Sequence, residues 1–281
     1  MPIDINNIVD DWVASPPETY IKFKKAIDNP ESSFKDFSNI IHNDPALTAR
    51  LLKIVNSSFY GYSSKIETIE HAMTIVGIGQ LNELVLATTV VESFKGIPKS
   101  LVNMEKFWEH SIACGLVAQD IARASGEKEL ERFYILGMLH DIGSLVLFKK
   151  IPDKAKLILE KCESEKRQSY EVEKEVLGFT HADVGGALLK AWNLPPRVVA
   201  NVTCHHEPGK TQKFIVEKSI IHLADIITRG MSFGMAGEQT VPSWDSKLLK
   251  TIELSEDEIP TIKLHLEEKL NEAMSVFFGG T

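Results

Sequence analysis

The chain has 281 residues, 43% of them hydrophobic and 25% charged, and a formal net charge of -8. This length and balance provide one large or two modest domains with a substantial core, and no apolar run approaches the roughly 18 residues that a bilayer span needs. The acidic excess argues against a nucleic-acid or anionic-membrane partner. Three widely spaced cysteines without a CxxC suggest neither a disulfide framework nor a thiolate zinc site.

Met1 to Asp11 carries acidic residues and no basic one, opposite to a secretory n-region, so a cytoplasmic protein is expected. Period-3.6 patterns dominate and convincing period-2 segments are absent, which predicts an all-α fold. Asn43-Asp44-Pro45 supplies a cap and a first-turn proline for a helix striped by Leu47, Leu51, Ile54 and Val55. After a turn near Gly61, Thr68 caps a helix with Ile69, Met73 and Val76 that Gly77-Ile78-Gly79 breaks or bends. A third helix runs from about Gln80 to Phe94, and Gly96-Ile97-Pro98 then suggests a boundary between an N-terminal helical subdomain, 1–98, and a second part, 99–281.

Beyond the boundary the helices lengthen. Phe107, His110, Cys114, Val117, Ala118 and Ile121 share one face. Phe133, Leu136, Gly137 and His140 form the next stripe, with Gly143 expected to close that helix just after His140-Asp141. The charge mixture at Glu160 to Glu175 reads as a solvated helix face or loop. Thr180 and Asp183 resemble a capping box with His181 at the helix start, and Pro195-Pro196 opens a helix whose last turn holds His205-His206. Asp225 shares a face with Ile221 and Thr228. Gly230 to Ser243 reads as a loop, and Ser255 with Glu258 caps a last amphipathic helix through Met274.

His110, His140, Asp141, His181, His205, His206 and Asp225 thus occupy positions where a helix pattern wants apolar residues. A bound cation makes such a buried group of imidazoles and carboxylates tolerable. Taken singly each has a plainer reading: His181 as a hydrogen-bonded core residue, Asp225 paired with Lys218 or Arg229, and His206 on a surface loop. Seven such groups on five helices favour one divalent cation or two, and imidazole and carboxylate suit zinc, iron, manganese and nickel alike. Cys204 is read as a small buried residue with a soft-ligand alternative, and His42 and His71 as structural.

The order H, HD, H, HH, D resembles the HD superfamily of metal-dependent phosphohydrolases, including the HD-GYP cyclic-dinucleotide phosphodiesterases. Similarity to the HDOD branch is closer, carried by Asn43-Asp-Pro-Ala-Leu-Thr-Ala-Arg-Leu-Leu, Val55-Asn-Ser-Ser-Phe-Tyr-Gly61, Ile69-Glu-His-Ala-Met-Thr-Ile-Val-Gly77 and Phe107-Trp-Glu-His-Ser111. Gly137-Met-Leu-His-Asp-Ile-Gly143, His181-Ala-Asp-Val-Gly185 and His222-Leu-Ala-Asp225 extend it. The resemblance implies a bacterial, all-helical signalling or regulatory module with an HD-like bundle. Its partner would be a signalling protein or a phosphate-containing small ligand. By the same resemblance His110, His140, Asp141 and Asp225 would hold one metal, and Asp141 would bridge to a second held by His181 with His205 or His206.

Two features separate the chain from the phosphodiesterases. Ser144 follows Gly143 where those enzymes carry a phosphate-binding lysine, and Pro208-Gly-Lys-Thr-Gln212 replaces their Gly-Tyr-Pro signature. Lys149, Lys150 and Arg197 are possible substitutes for the missing cation, or ordinary surface charges. Phe59-Tyr60-Gly61-Tyr62 could expose aromatics to a partner, and Asp141 would be the catalytic bridge if the centre turns over phosphoesters.

Overall fold

The structure is a computed structural model, and it describes residues 4–9, 17–57, 64–94, 96–233, 241, 244, 246–264 and 266–278. In chain order the helices are α1 (Ile5–Ile8), α2 (Glu18–Ile27), α3 (Phe34–His42), α4 (Pro45–Val55), α5 (Ile69–Val76) and α6 (Ile78–Ser93). Then come α7 (Met104–Ala124), α8 (Leu130–Leu139), α9 (Ile142–Lys150), α10 (Pro152–Glu165), α11 (Ser169–Leu177) and α12 (His181–Ala191). The last are α13 (Pro196–Cys204), α14 (Ile215–Gly230), α15 (Ser246–Thr251), α16 (Ile259–Lys263) and α17 (Leu266–Phe278). Among the described residues there is no strand, as an all-α fold requires. No single helix is long and apolar enough to cross a membrane; α5 and α6 pass only as a pair bent by 118°.

The chain divides into two compact units, one of residues 16–95 with 267–281, the other of residues 1–15 with 96–266. This differs from a simple 1–98 and 99–281 partition, because α17 belongs with the N-terminal helices and α1 with the later ones. The ends were unreadable because an amphipathic stripe shows that a helix packs, not against what. Lys53 donates to the Ser275 carbonyl, which ties α4 to α17, while α1 packs on α9 and α12.

In the smaller unit, side-chain caps set the helix starts. Ser33 and Asp36 form a capping box on α3, Asp44 accepts from Leu47 N–H on α4, and Thr68 accepts from His71 N–H on α5. Asn56 has a structural role: its amide donates to the Ile66 carbonyl and accepts from Ile66 N–H, both at 2.7 Å. His42 lies 3.8 Å from Glu70, and neither it nor His71 belongs to a donor cluster among the described residues. Phe59-Tyr60-Gly61-Tyr62 lies outside the described residues.

Tyr20 is 2% exposed in this unit. Burial, offset in part by Asn82, raises its phenol from 10.0 to about 12. A folded value above the unfolded one means that the contribution is full below pH 10 and lost as pH rises toward 12. Tyr20→Phe is therefore expected to blunt the alkaline loss of stability across that window, read by urea unfolding at either end.

The larger unit is built around α7, whose Asn103 cap accepts from Glu105 and Lys106 N–H. Buried residues on all its faces, among them Phe107, Trp108, Ile112 and Val117, mark it as a central helix packed by α8 and α14. Among the described residues, backbones approach closely through glycine at two helix crossings. A Cβ on Gly137 would lie 2.6 Å from Gly115 Cα, so α8 crosses α7 almost in backbone contact. A Cβ on Gly143 would lie 2.0 Å from the His181 carbonyl oxygen and 2.6 Å from Gly185 N.

Gly143 therefore does not stop a helix, as its place after His140-Asp141 suggested. The corner is at His140-Asp141 itself, and α9 starts at Ile142 with Gly143 in its first turn against α12. Of the two readings of Glu160 to Glu175, the solvated helix face holds over most of its length, in α10 and α11. Lys161, Arg167 and Glu175 form an exposed ion network, but Val172 and Glu173 are buried. The last predicted helix is two, α16 and α17, separated by the extended residue Leu264.

Candidate metal centre

Five segments of the larger unit bring the seven residues together. His110 comes from the middle of α7, and His140-Asp141 from the corner between α8 and α9. The Thr180–Asp183 capping box starts α12 at His181, and α13 ends at Cys204, so that His205 and His206 leave the helix in succession. Asp225 projects from α14.

The donors form two groups, and Asp141 faces both. Its Oδ2 lies 3.2 Å from His140 Nε2 and 3.7 Å from His110 Nε2. Asp225 Oδ1 completes that side, 3.2 Å from His110 Nε2 and 3.8 Å from His140 Nε2. Asp141 Oδ1 lies 3.2 Å from His181 Nε2 and 3.4 Å from His205 Nε2. His206 Nε2 joins the second group, 2.9 Å from His181 Nε2.

Most of the rings are held from behind. Nδ1–H of His110 donates to the Phe233 carbonyl at 2.6 Å, that of His140 to Gly137 at 2.6 Å and that of His205 to Val202 at 2.8 Å. His181 Nδ1–H donates to Glu173 Oε2 at 2.7 Å. A carbonyl only accepts, so the Nδ1 proton is fixed and each neutral ring turns the lone pair of Nε2 inward. His110 Nε2, His140 Nε2 and Asp141 Oδ1 are buried without a hydrogen-bond partner. Converging lone pairs left unsatisfied in an apolar core are costly, and a divalent cation satisfies this donor set.

Charges within the cluster shift its own protonation preferences. Burial opposes charge on both rings, yet Asp141 and Cys114 hold His140 well above its ordinary value, and Glu173 and Asp141 raise His181 to about 10. Burial works against Asp141 and Asp225 too, but His140 holds the first carboxyl well below the usual range, and Arg229 the second. Burial together with neighbouring imidazoles pushes His205 and His206 down.

Two supports, Glu173 and the Phe233 carbonyl, escaped the sequence reading, and a third, Arg229, was expected as a partner of Asp225. Glu173 is buried and accepts from both the backbone N–H and Nδ1–H of His181, each at 2.7 Å. Its signal was the buried spacing Ser169, Val172, Glu173, Leu177 inside a charged stretch. Arg229 Nε donates to Asp225 Oδ1 at 2.8 Å and its Nη1 to Gln168 at 3.1 Å, so the expected helical ion pair is a buried one. The Phe233 carbonyl is a backbone group within the stretch read as loop, and no side-chain pattern could reveal it. Lys218 does not pair with Asp225; it donates to Thr211.

Of the other candidates, Lys149 and Lys150 end α9, about 12 Å along the helix from Asp141. Arg197 lies 4.0 Å from Glu129. The cation beside the centre is Arg229. Cys204 is buried and belongs to neither donor group.

An all-helical core with a shared aspartate between two histidine groups defines an HD-like architecture. The sequence matches the HDOD domain family over residues 13–208, and the chain belongs to that family. It is 28% identical over 192 residues to a protein of Treponema pallidum (strain Nichols) described only as uncharacterized, a match that spans 68% of this chain and 37% of that protein. An HDOD domain protein with unknown function from Geobacter sulfurreducens shares the fold at TM-score 0.74 and 22% identity, over 94% of this chain and 91% of that one. A Shewanella amazonensis SB2B protein provisionally named a phosphohydrolase shares it at TM-score 0.73 and 21% identity, over 96% and 98% of the two chains.

Proposed function

We propose that the chain is a bacterial, cytoplasmic HDOD regulatory module whose core retains a divalent transition metal centre in a structural or sensory role. One observation carries this reading: six of the seven donor residues are at most 2% exposed, and three of their inward-facing atoms, His110 Nε2, His140 Nε2 and Asp141 Oδ1, have no hydrogen-bond partner. His110, His140, Asp141 and Asp225 would hold one cation, and Asp141, His181, His205 and His206 a second. Asp141 and Asp225 together carry -2 when the histidines are neutral, so one divalent ion balances the ligands and two leave positive charge. A centre this enclosed suits a retained ion. Its regulatory output would pass to a signalling protein or respond to a phosphate-containing ligand.

A second reading, metal-dependent hydrolysis of a phosphomonoester or cyclic dinucleotide, is favoured by the two-sided presentation of Asp141 and by the half-buried His206, stacked on Tyr170 at 4.4 Å. The name of the Shewanella relative points the same way. Bound cations would supply electrophilic activation of a phosphoryl oxygen. This chain's residues would orient the substrate at the His206 side and hold Asp225 through Arg229.

Elemental analysis of the purified protein, with anomalous scattering between His140 and Asp225, tests the centre; a stoichiometric transition metal is expected. The metal-loaded protein is then assayed against cyclic dinucleotides, nucleotides and simple phosphate esters. Absence of turnover is the expected result, and turnover abolished by Asp141→Asn transfers the conclusion to the second reading. Chelation is expected to lower stability by about 3 kcal/mol relative to protein held at free metal a hundredfold above its Kd, read by denaturant unfolding.

A further inference from the structure

The donor cluster leaves a second cavity of the larger unit unused. Helices α9, α10 and α11, with the segment leading into α7, border a recess of about 410 Å³. Its walls include Val102, Leu147, Phe148, Ala155 and Ile158, each at most 7% exposed. Packed cores hold few voids larger than a water molecule, so a space of this size with mainly apolar walls has the character of a ligand site. None of its lining residues is one of the seven donors, and the recess stands apart from the metal centre.

Two observations define what fits it. The first is Ser144, which is 4% exposed and lines the recess. Buried hydroxyls on other helices return to a carbonyl one turn back: Thr88 to Leu84, Thr89 to Val85 and Thr228 to Ala224, at 2.6 to 2.7 Å. The Ser144 hydroxyl makes no hydrogen bond among the described residues, so it is left to face the recess, where it can both donate and accept. The second observation is the balance of charge. Lys99 and Lys156 are exposed at the rim against Glu160 and Glu163, two of each sign. Glu173 also lines the recess, with its Oε2 taken by the backbone N–H and Nδ1–H of His181. A guest without net charge has no net Coulomb interaction with any of these groups, whatever the charge of the Glu173–His181 pair, and is selected by wall shape and one hydroxyl.

We infer that this recess binds a small neutral molecule with an apolar body and a single hydroxyl or amide group. The polar group pairs with Ser144 Oγ, while Leu147, Phe148 and Ile158 cover the body. The site goes beyond the metal reading and does not rest on it.

Isothermal titration of the full chain with the unbranched primary alcohols from 1-butanol to 1-decanol tests this. Saturable binding at one site is expected, tightening about fourfold per added methylene until the recess is full and levelling thereafter. Ser144→Ala is expected to weaken the tightest alcohol about fivefold, the loss of one hydrogen bond. Leu159→Trp, which fills the recess from α10, is expected to abolish binding. Ala155→Val, a smaller change on the same helix, should bring the levelling at a shorter chain, and it decides the location if the tryptophan variant does not fold. Affinity that climbs without levelling would mean partition onto apolar surface and overturns the site, as does the absence of saturable binding. Binding that neither the Leu159 nor the Ala155 variant alters places the alcohol elsewhere. A Ser144→Ala protein that binds as tightly as the parent removes the hydroxyl from recognition and overturns the assignment of the polar group.

Discussion

Asp141→Asn is expected to abolish metal binding at the proposed centre. The substitution keeps the shape of the side chain, removes one negative charge and turns one of two oxygens into an NH2 donor. Whichever way the amide sits, either the His110–His140 side or the His181–His205 side loses its bridging acceptor, at positions now 3.2 Å from the nearest Nε2 on each. Loss of a supporting contact to a metal ligand typically weakens binding by about 10- to 100-fold, and loss of a shared ligand is expected to exceed the upper figure. Fold is preserved, since the NH2 can donate to a facing Nε2. Elemental analysis after dialysis reads the result, and an Asn variant that keeps its metal through dialysis would show that the cation does not sit between the two groups.

Gly143→Ala is expected to cost about 3 kcal/mol or more, the upper range for forcing extra volume into a packed interior. The added methyl would meet backbone atoms, His181 O at 2.0 Å and Gly185 N at 2.6 Å, so no side chain can rotate away. Relief requires α9 and α12 to separate, which draws His181 from Asp141. Metal affinity should therefore fall along with stability. Gly209→Ala serves as the control, because nothing lies within 4 Å of its Cβ position and its loss should be near neutral. Urea unfolding of the two variants measures the difference; equal midpoints would mean that the two helices tolerate a wider spacing.

The donor set was legible because a polar side chain in phase with an apolar stripe stands out. His110 on α7 and Asp225 on α14 each sit about one turn from Cys114 and Ile221, and the same periodicity that buries those residues buries them. Glu173 was hidden by its neighbours: Glu171, Lys174 and Glu175 are solvent-facing, and their charge masked the buried residue between them. Gly143 carried an ambiguous signal, since a glycine after a helix is both a stop and a point of close approach. Contacts between atoms distant in sequence, such as Gly143 with the His181 carbonyl, decide between those meanings and leave no trace in composition. The same holds for Arg229, whose spacing from Asp225 announced an ion pair but not its burial or its tie to Gln168.

The placing of α1 and α17 has a practical corollary. Because α1 seats on α9 and α12 while α17 is pinned to α4 through Lys53, neither unit is a continuous stretch of chain. A fragment beginning at residue 99 would forfeit the cover that α1 gives the helices carrying Gly143 and His181, and would trail α17 with its apolar stripe stranded in water. Dissecting the two units by truncation thus invites aggregation.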